Sequence, residues 1–408
     1  MKILDVSPRV AVPLSSGSRV RIYNILSRLS RRHEVRQFSQ TRLRDLKRPD
    51  FVREVRYTPS YREYRYKNLL GSGLCELMER HGFGAPVLCG YPLRLSSPQL
   101  LRQWIEWADT IIVEFPWQYS YVRSQAGAKP VVLAAHNVQA AKSRSGDKVG
   151  LTDRALIACT DRLERQAVLG ADLILAVSPE DRQEFGRRYG AEADKIVVVP
   201  NGADIDQYQP TDETTRLALR EQLGLPAGPL VIFPAPHRQA PILDGLKWVR
   251  RVAVLLPEVH FLITGAVRTS PVVEDNVTFT GFVDDYPPYL RAADCLLCPI
   301  ALGGGTKLKL IEAAAAGLPI VAFAESVRGT RFRDGEHLLL AEKSAEDLAA
   351  KIRQVFDDRH SSALMGQAAH ECAVQHYDWD AIVRAMEPAL EALCRPSVGG
   401  FVGEASHT

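Results

Sequence analysis

The sequence predicts an α/β protein of two domains, each a mostly parallel sheet covered on both faces by helices. Three observations predict it. Short, almost wholly apolar runs alternate with segments of helical periodicity along most of the chain. The alternation pauses at Asp206–Gly228, a stretch punctuated by Pro and Gly, and then restarts with the same grammar. The chain of 408 residues suits two domains at roughly 100–200 residues each.

Lys2–Val6 reads as the first strand. Gly17 breaks the loop after it, and Ser18–Ser30 carries Val20, Ile22, Ile25, Leu26 and Leu29 at helical spacing. Further strands are expected at Val35–Phe38, Val87–Cys89, Thr110–Glu114, Val131–Ala135, Leu173–Val177 and Ile196–Val199, with helices at Arg154–Leu169 and Pro179–Tyr189. After a short helix at Thr214–Leu223 come strands at Leu230–Phe233, Phe261–Gly265, Val277–Phe279, Cys295–Cys298, Ile320–Phe323 and Leu338–Leu340. Helices are expected at Tyr289–Ala292, Lys307–Ala316, Ser344–Asp357, Ser361–His376 and Asp380–Leu393. These spans predict Rossmann-like domains at 1–207 and 208–377, with the last helix, 378–395, returning to the first domain. The Gly- and Ser-rich tail, 396–408, is expected to be disordered.

Composition excludes several classes. No run approaches the roughly 18 uncharged apolar residues of a membrane-spanning helix, and Asp5 interrupts the apolar start that a secretory leader would need. Seven scattered cysteines argue for a reducing, cytoplasmic compartment, and the Cys295/Cys298 pair reads as buried thiols inside a strand. Charge is uneven. Residues 1–68 hold 17 Lys and Arg against six acids, a net +11 in a chain whose total is +3. In this basic part RYTPSYREYRYKNLL interleaves Arg with Tyr57, Tyr61, Tyr64 and Tyr66. An anionic membrane surface, an anionic acceptor and a solvated face all fit that pattern; nucleic acid fits less well, because no nucleic-acid module is present.

The informative segment is PIALGGGTKLKLIEAAAAGLPIVAFAE, residues 299–325. A buried strand ends at Pro299, Gly303, Gly304 and Gly305 follow, and a helix opens at Thr306 or Lys307 and stops at Gly317. Glycines let the backbone approach a ligand closely. The helix start behind them offers unpaired N–H groups and about half a positive charge. This is a phosphate-binding arrangement, with Lys307 and Lys309 adding full charges. Glu312 lies seven residues past Gly305, about 10 Å of helix rise, where its carboxylate would accept the hydroxyls of a ribose. The plainer alternative is a structural Gly turn with Glu312 paired to Lys309. Neither a dinucleotide fingerprint nor a Walker loop is present.

GGGTKLKLIEAAAAGLPIVA resembles the donor site of glycosyltransferase family 4, retaining enzymes of the two-domain GT-B fold, in the subgroup with a GGGT-type loop. Val199-Pro-Asn-Gly-Ala-Asp204, Ala176-Val-Ser178, Ala135-His-Asn-Val138, Asp334-Gly-Glu-His-Leu-Leu-Leu340 and Tyr377-Asp-Trp379 resemble other family segments in the family's order. The resemblance implies transfer of a sugar from a UDP- or GDP-type donor on the second domain to a saccharide, lipid-linked or metabolite acceptor on the first. No cofactor or metal is implied. It places the ribose on Glu312 and the diphosphate on Gly303, Gly304, Gly305, Thr306, Lys307 and Leu308. It makes His136 the histidine facing the reacting sugar and Gly17, flanked by Ser18, the mobile loop; Glu114 falls on the acceptor side. Three departures stand out: Gly304 occupies a position often held by Glu, Gln139 replaces a Glu, and Asp244 stands where Lys is common, so that Arg238 becomes the candidate diphosphate clamp. A nucleotide-sugar epimerase or hydrolase on the same fold, and a non-catalytic nucleotide-sugar-binding partner, are the rival readings.

Overall fold

The apolar runs form strands buried along their whole length, as a sheet covered on both faces requires: Thr110–Glu114, Val131–Ala134 and Cys295–Cys298 expose no residue. The computed structural model describes residues 1–14, 16–41, 51–67, 98–142, 151–302 and 305–395, together with Gly73, Leu93, Arg94 and Ser96. The strand expected at Val87–Cys89, the glycines Gly303 and Gly304 and the tail from Pro396 lie outside them.

The first sheet contains β1 (Lys2–Ser7), β2 (Glu34–Gln40), β3 (Glu54–Thr58), β4 (Tyr61–Tyr66), β5 (Thr110–Glu114), β6 (Val131–Ala134), β7 (Leu173–Ala176) and β8 (Ile196–Val198). Their order is β3-β4-β2-β1-β5-β6-β7-β8. All pairs are parallel except the β3–β4 hairpin. The second sheet contains β9 (Leu230–Pro234), β10 (His260–Thr264), β11 (Val272–Glu274), β12 (Val277–Gly281), β13 (Cys295–Cys298), β14 (Ile320–Phe323) and β15 (Leu339–Ala341). Its order is β11-β12-β10-β9-β13-β14-β15, with only β11 antiparallel. The winding reverses beside β1, towards β5, and beside β9, towards β13. In such sheets ligands bind past the carboxyl ends of the strands at these reversals.

The Arg/Tyr stretch forms this hairpin, and its alternation is strand periodicity. Some of its cations pack within the fold, while Arg56 is exposed. Arg65 lies 2.9 Å from the buried Glu63, and the Arg62 guanidinium lies 5.5 Å from the Trp104 ring. From β2, Arg36 sits 3.7 Å from the Trp107 ring. The basic helix α1 (Gly17–Leu29) likewise meets the last helix, α12 (Trp379–Cys394), through Arg28–Asp380 at 3.1 Å, and beyond its end Arg31 pairs with Asp380 at 2.5 Å and Arg32 with Glu387 at 2.7 Å. Trp379, Ile382, Val383, Met386 and Leu390 of α12 pack with Ile3, Ile22 and Leu26 in the first domain's core.

Between these lie α2 (Gln99–Trp107), α3 (Tyr119–Ala126), α4 (Leu151–Gly170), α5 (Pro179–Tyr189), α6 (Glu213–Leu223), α7 (Ala240–Leu255), α8 (Pro287–Ala292), α9 (Leu308–Ala315), α10 (Ala345–Asp357) and α11 (Arg359–Tyr377). Helix α5 shows why a local signal suffices where it is complete. Pro179 sits at N1, the Ser178 hydroxyl accepts from the Asp181 amide at 3.1 Å, and Gly190 closes the helix at φ +73°. Helix α7 carries Asp244, and a Cβ on its Gly245 would come within 2.9 Å of the Phe233 ring, so glycine there lets the helix lie against β9. Among the described residues no helix is long and apolar enough to cross a membrane.

Candidate functional site

Two helix starts face each other beyond the carboxyl ends of the two sheets. Helix α1 begins at Gly17 and α9 at Leu308, and a Cβ on Gly17 would sit 3.2 Å from Leu308 Cδ1. Neither start is capped by a side chain: Ser16 and Lys307, the residues before them, accept nothing from the first-turn amides. The uncapped N–H groups and positive dipole ends of both helices therefore lie close to one another, a field that a diphosphate would neutralise. The helix expected to open at Thr306 or Lys307 opens instead at Leu308, because Lys307 takes an extended conformation (φ −93°, ψ 105°).

Gly305 has φ +69°, and a Cβ there would lie 3.4 Å from the His136 carbonyl oxygen, so the donor loop leans on the first domain. Thr306 is wedged between the domains. A Cβ on Gly329 would lie 2.9 Å from Thr306 Cγ2 and 3.0 Å from Ser178 Cβ, and the Asn201 amide donates to Thr306 Oγ1 at 2.6 Å.

The lysines do not both face the loop, which corrects the expectation of two charges at the helix start. Lys307 Nζ folds back to the Gly305 carbonyl at 3.1 Å. Lys309 is buried, donates to the Pro234 carbonyl at the end of β9 at 2.6 Å and lies 4.7 Å from the Phe233 ring. Burial lowers its pKa to about 8, with Cys298 and Glu312 opposing. Arg238 is exposed after β9 and donates to the Val267 carbonyl at 3.3 Å.

Glu312 stands four residues into α9, about 6 Å of rise, half-buried between Tyr208 and Lys309. Burial raises its carboxyl to about 7; the Lys309 charge and a hydrogen bond from Tyr208 pull the other way. The alternative of a simple Glu312–Lys309 pair is not what forms, since the Lys309 ammonium bonds a backbone carbonyl. Tyr286 packs edge-on to Tyr208 at 6.5 Å, and its buried hydroxyl has no hydrogen-bond partner.

Across the cleft, Glu114 ends β5 and His136 follows β6; both are buried, and His136 Nε2 lies 2.5 Å from Glu114 Oε2. Phe115 stacks on the imidazole at 4.0 Å and 10°, held at φ +67°, a strained value for a bulky residue. Burial lowers the His136 pKa, against the pull of Glu114. Behind them Asp5 pairs with Ile112 across β1–β5, on the face that carries Glu114. It is fully buried beside Glu114 and Gln37, and burial, then Glu114, raises its pKa well above the usual range. The sequence singled out His136 and Glu114 separately. Their pairing, Asp5, and the reach of Asn201, which as Asn201-Gly202 resembles a mere turn, join residues far apart in the chain, and no local signal marks them.

Around the donor loop the described groups include backbone N–H donors and the Lys307 ammonium, which suit phosphate oxygens. Among the described residues His33, Glu387 and Glu391 cluster with ligand atoms within 4.8 Å, but Glu387 and Glu391 belong to α12 and the cluster is already tied by the His33–Glu387 contact at 2.8 Å.

Comparison with known proteins finds family matches for both halves of the chain. The family described as Glycosyltransferase Family 4 matches residues 15–207, and Glycosyl transferases group 1 matches residues 231–358. The D-inositol 3-phosphate glycosyltransferase of Xylanimonas cellulosilytica is 30% identical over 55% of this chain and 57% of its own length. That of Corynebacterium aurimucosum is 30% identical over 63% and 65%. The match thus spans little more than half the length of such relatives. Sucrose-phosphate synthase of Thermosynechococcus elongatus superposes with a TM-score of 0.74 at 18% identity, over 96% of this chain and 99% of that one. Anabaena HepE in complex with UDP and glucose superposes at 0.67 and 20%, over 96% and 100%. At such identities the likeness is one of fold, and that fold is GT-B. With its two matched halves on the two sheets, the chain belongs to glycosyltransferase family 4.

Proposed function

We propose that the chain transfers a glycosyl group from a uridine-type nucleotide sugar to a hydroxyl of an acceptor lodged on the first domain, with retention at the anomeric carbon and without a resident metal. The observation that carries the reading is the meeting of two uncapped helix starts at Gly17 and Leu308, one turn of helix from the Glu312 carboxylate. The bond from the anomeric carbon to the diphosphate oxygen breaks, and its electron pair leaves with the nucleoside diphosphate. Amides of both helix starts and the Lys307 ammonium stabilise that developing charge, the usual largest contribution to such a transfer. Glu312 accepts the ribose hydroxyls. The acceptor oxygen bonds the anomeric carbon from the vacated face, and its proton passes to a phosphate oxygen. His136, oriented by Glu114, lines the sugar side of the cleft.

HepE, crystallised with UDP-glucose, supports a uridine donor, and the curated relatives make an inositol phosphate the first acceptor to try. The test offers UDP- and GDP-sugars with a panel of inositol phosphate, oligosaccharide and glycolipid acceptors, with and without a chelator. Release of nucleoside diphosphate in step with a glycoside of unchanged anomeric configuration, insensitive to chelator, supports the proposal. Free or epimerised sugar formed without acceptor indicates an epimerase or hydrolase, and binding with no turnover indicates a non-catalytic partner.

A further inference from the structure

Asn201 stands where the chain crosses between the domains. It follows β8, and its neighbour Gly202 has no room for a side chain: a Cβ would lie 2.5 Å from the Tyr377 carbonyl oxygen and 2.8 Å from the Trp379 ring. The next residue, Ala203, donates its amide N–H to that same Tyr377 carbonyl at 2.8 Å and bridges to Asp378, where α11 passes into α12 and the chain crosses back. Asn201 is therefore fixed at its backbone, and its side chain, 9% exposed, is aimed into the cleft.

That side chain has two partners. Arg21, on α1 and 1% exposed, donates through Nη1 to the Pro200 carbonyl at 2.9 Å and to Asn201 Oδ1 at 3.3 Å. On the other side Asn201 Nδ2 lies 2.6 Å from Thr306 Oγ1. A guanidinium only donates. The amide oxygen must therefore face Arg21 and the amide nitrogen must face Thr306, which assigns the orientation of the amide from its network. Thr306 Oγ1 then accepts, and its own proton is left to donate elsewhere. It stands next to Gly305 and two residues before the open start of α9, where the first ligand oxygens would be anionic. Burial lowers the Arg21 pKa to about 10, with the charges of Glu114 and Asp181 opposing, so the same guanidinium that holds Asn201 also feels the acceptor-side carboxylate.

Resting on the glycosyltransferase reading, we infer that Asn201 is a positioning residue of the donor site: held by Arg21, it ties the loop to the hinge and turns the Thr306 hydroxyl outward as a donor to the diphosphate. The relay discriminates by charge. An oxyanion satisfies the Thr306 hydrogen; a ligand group that only donates does not. It also makes the binding geometry of the loop depend on the two domains being closed, since Arg21 and Thr306 belong to different domains.

The substitution Asn201→Asp separates positioning from simple support. The carboxylate is the same size and pairs with Arg21 at least as well, so the ligand-free melting temperature is expected to equal or exceed the wild-type value. It only accepts, however, so it takes the Thr306 proton inward and places a negative charge beside the diphosphate. UDP affinity by calorimetry is expected to fall about ten- to a hundredfold, with a matching rise in donor KM. Asn201→Ala is expected to lose roughly three- to tenfold, and Asn201→Ala with Thr306→Val no more than Thr306→Val alone. Hydrogen exchange of the ligand-free chain gives a readout that needs no nucleotide: Asn201→Ala is expected to speed exchange at residues 306–310 while β1 and β9 stay protected. Asn201→Asp binding UDP within twofold of wild type, losses that multiply in the double variant, or unchanged exchange would each overturn the inference. A wild-type chain that binds neither UDP nor GDP, with exchange altered as expected, would overturn the glycosyltransferase reading and leave only the hinge tie standing.

Discussion

Replacing Glu312 by glutamine sets two free energies against each other. Without nucleotide the carboxyl is held in a half-buried place that raises its pKa from 4.5 to about 7. At 1.36 kcal/mol per pKa unit that is about 3 kcal/mol, reduced to roughly 1–2 kcal/mol because the group is partly exposed and screened. The sign follows from linkage. The raised pKa means that the fold favours the protonated form, so the stabilisation is complete below the unfolded value near 4.5 and is lost as pH rises through about 7. Glutamine is neutral throughout. The ligand-free Glu312→Gln chain should therefore melt higher than wild type at pH 8, by about 2–6 °C for a domain of this size, and no higher at pH 4.5. With nucleotide the order reverses. A carboxylate accepts two ribose hydroxyls, and the amide oxygen replaces only part of that. Losing one charged hydrogen bond costs about 1.5–3 kcal/mol, so UDP affinity should fall about ten- to a hundredfold at pH 8, and wild-type affinity alone should rise between pH 6 and 8. Melting curves at both pH values, with and without UDP, read all of this. A variant less stable than wild type at pH 8, or one whose UDP affinity is unchanged, would refute the reasoning.

Other perturbations address other parts of the site. Gly17→Val would press on Leu308, whose Cδ1 lies 3.2 Å from the position of a Cβ, so separation of the two helix starts should weaken UDP about tenfold (of order 1.4 kcal/mol) with little change in ligand-free melting; calorimetry decides. Phe115→Ala removes the ring stacked on His136 and opens it to water, so its depressed pKa should move up towards 6.5, read by NMR titration of the imidazole. Gly366→Ala would drive a Cβ into the Gly317 carbonyl oxygen just past α9, and an overpacking cost of about 1–3 kcal/mol should appear in urea melts.

The sequence carried most of the architecture because the strands of a two-faced parallel sheet are apolar throughout. Thr110–Glu114, Cys295–Cys298 and Ile320–Phe323 are found where the runs place them. Helix α5 was as legible, with a capping serine, a proline and a closing glycine within thirteen residues of one another. The β3–β4 hairpin was not, because its Arg and Tyr residues look like a surface for a partner until Arg62 is seen against Trp104 and Arg65 against Glu63. Helix α7 went unread, although Pro241 in its first turn is a helix-start signal. In the site, Glu312 and the glycine loop are local and were visible. The direction of the Lys309 side chain, the His136–Glu114 pair and the bond from Asn201 to Thr306, 105 residues away, are settled by tertiary packing, to which a single sequence has no access.

The central claim is that two opposed helix starts hold a diphosphate while Glu312 holds its ribose. A crystal structure of the chain soaked with UDP tests it most directly. The account predicts phosphate oxygens at the amides of Gly17, Ser18, Leu308 and Lys309 and both ribose hydroxyls on the Glu312 carboxylate. Uridine lodged elsewhere on the molecule, or a Glu312 still bonded to Tyr208 with no ribose against it, would contradict it.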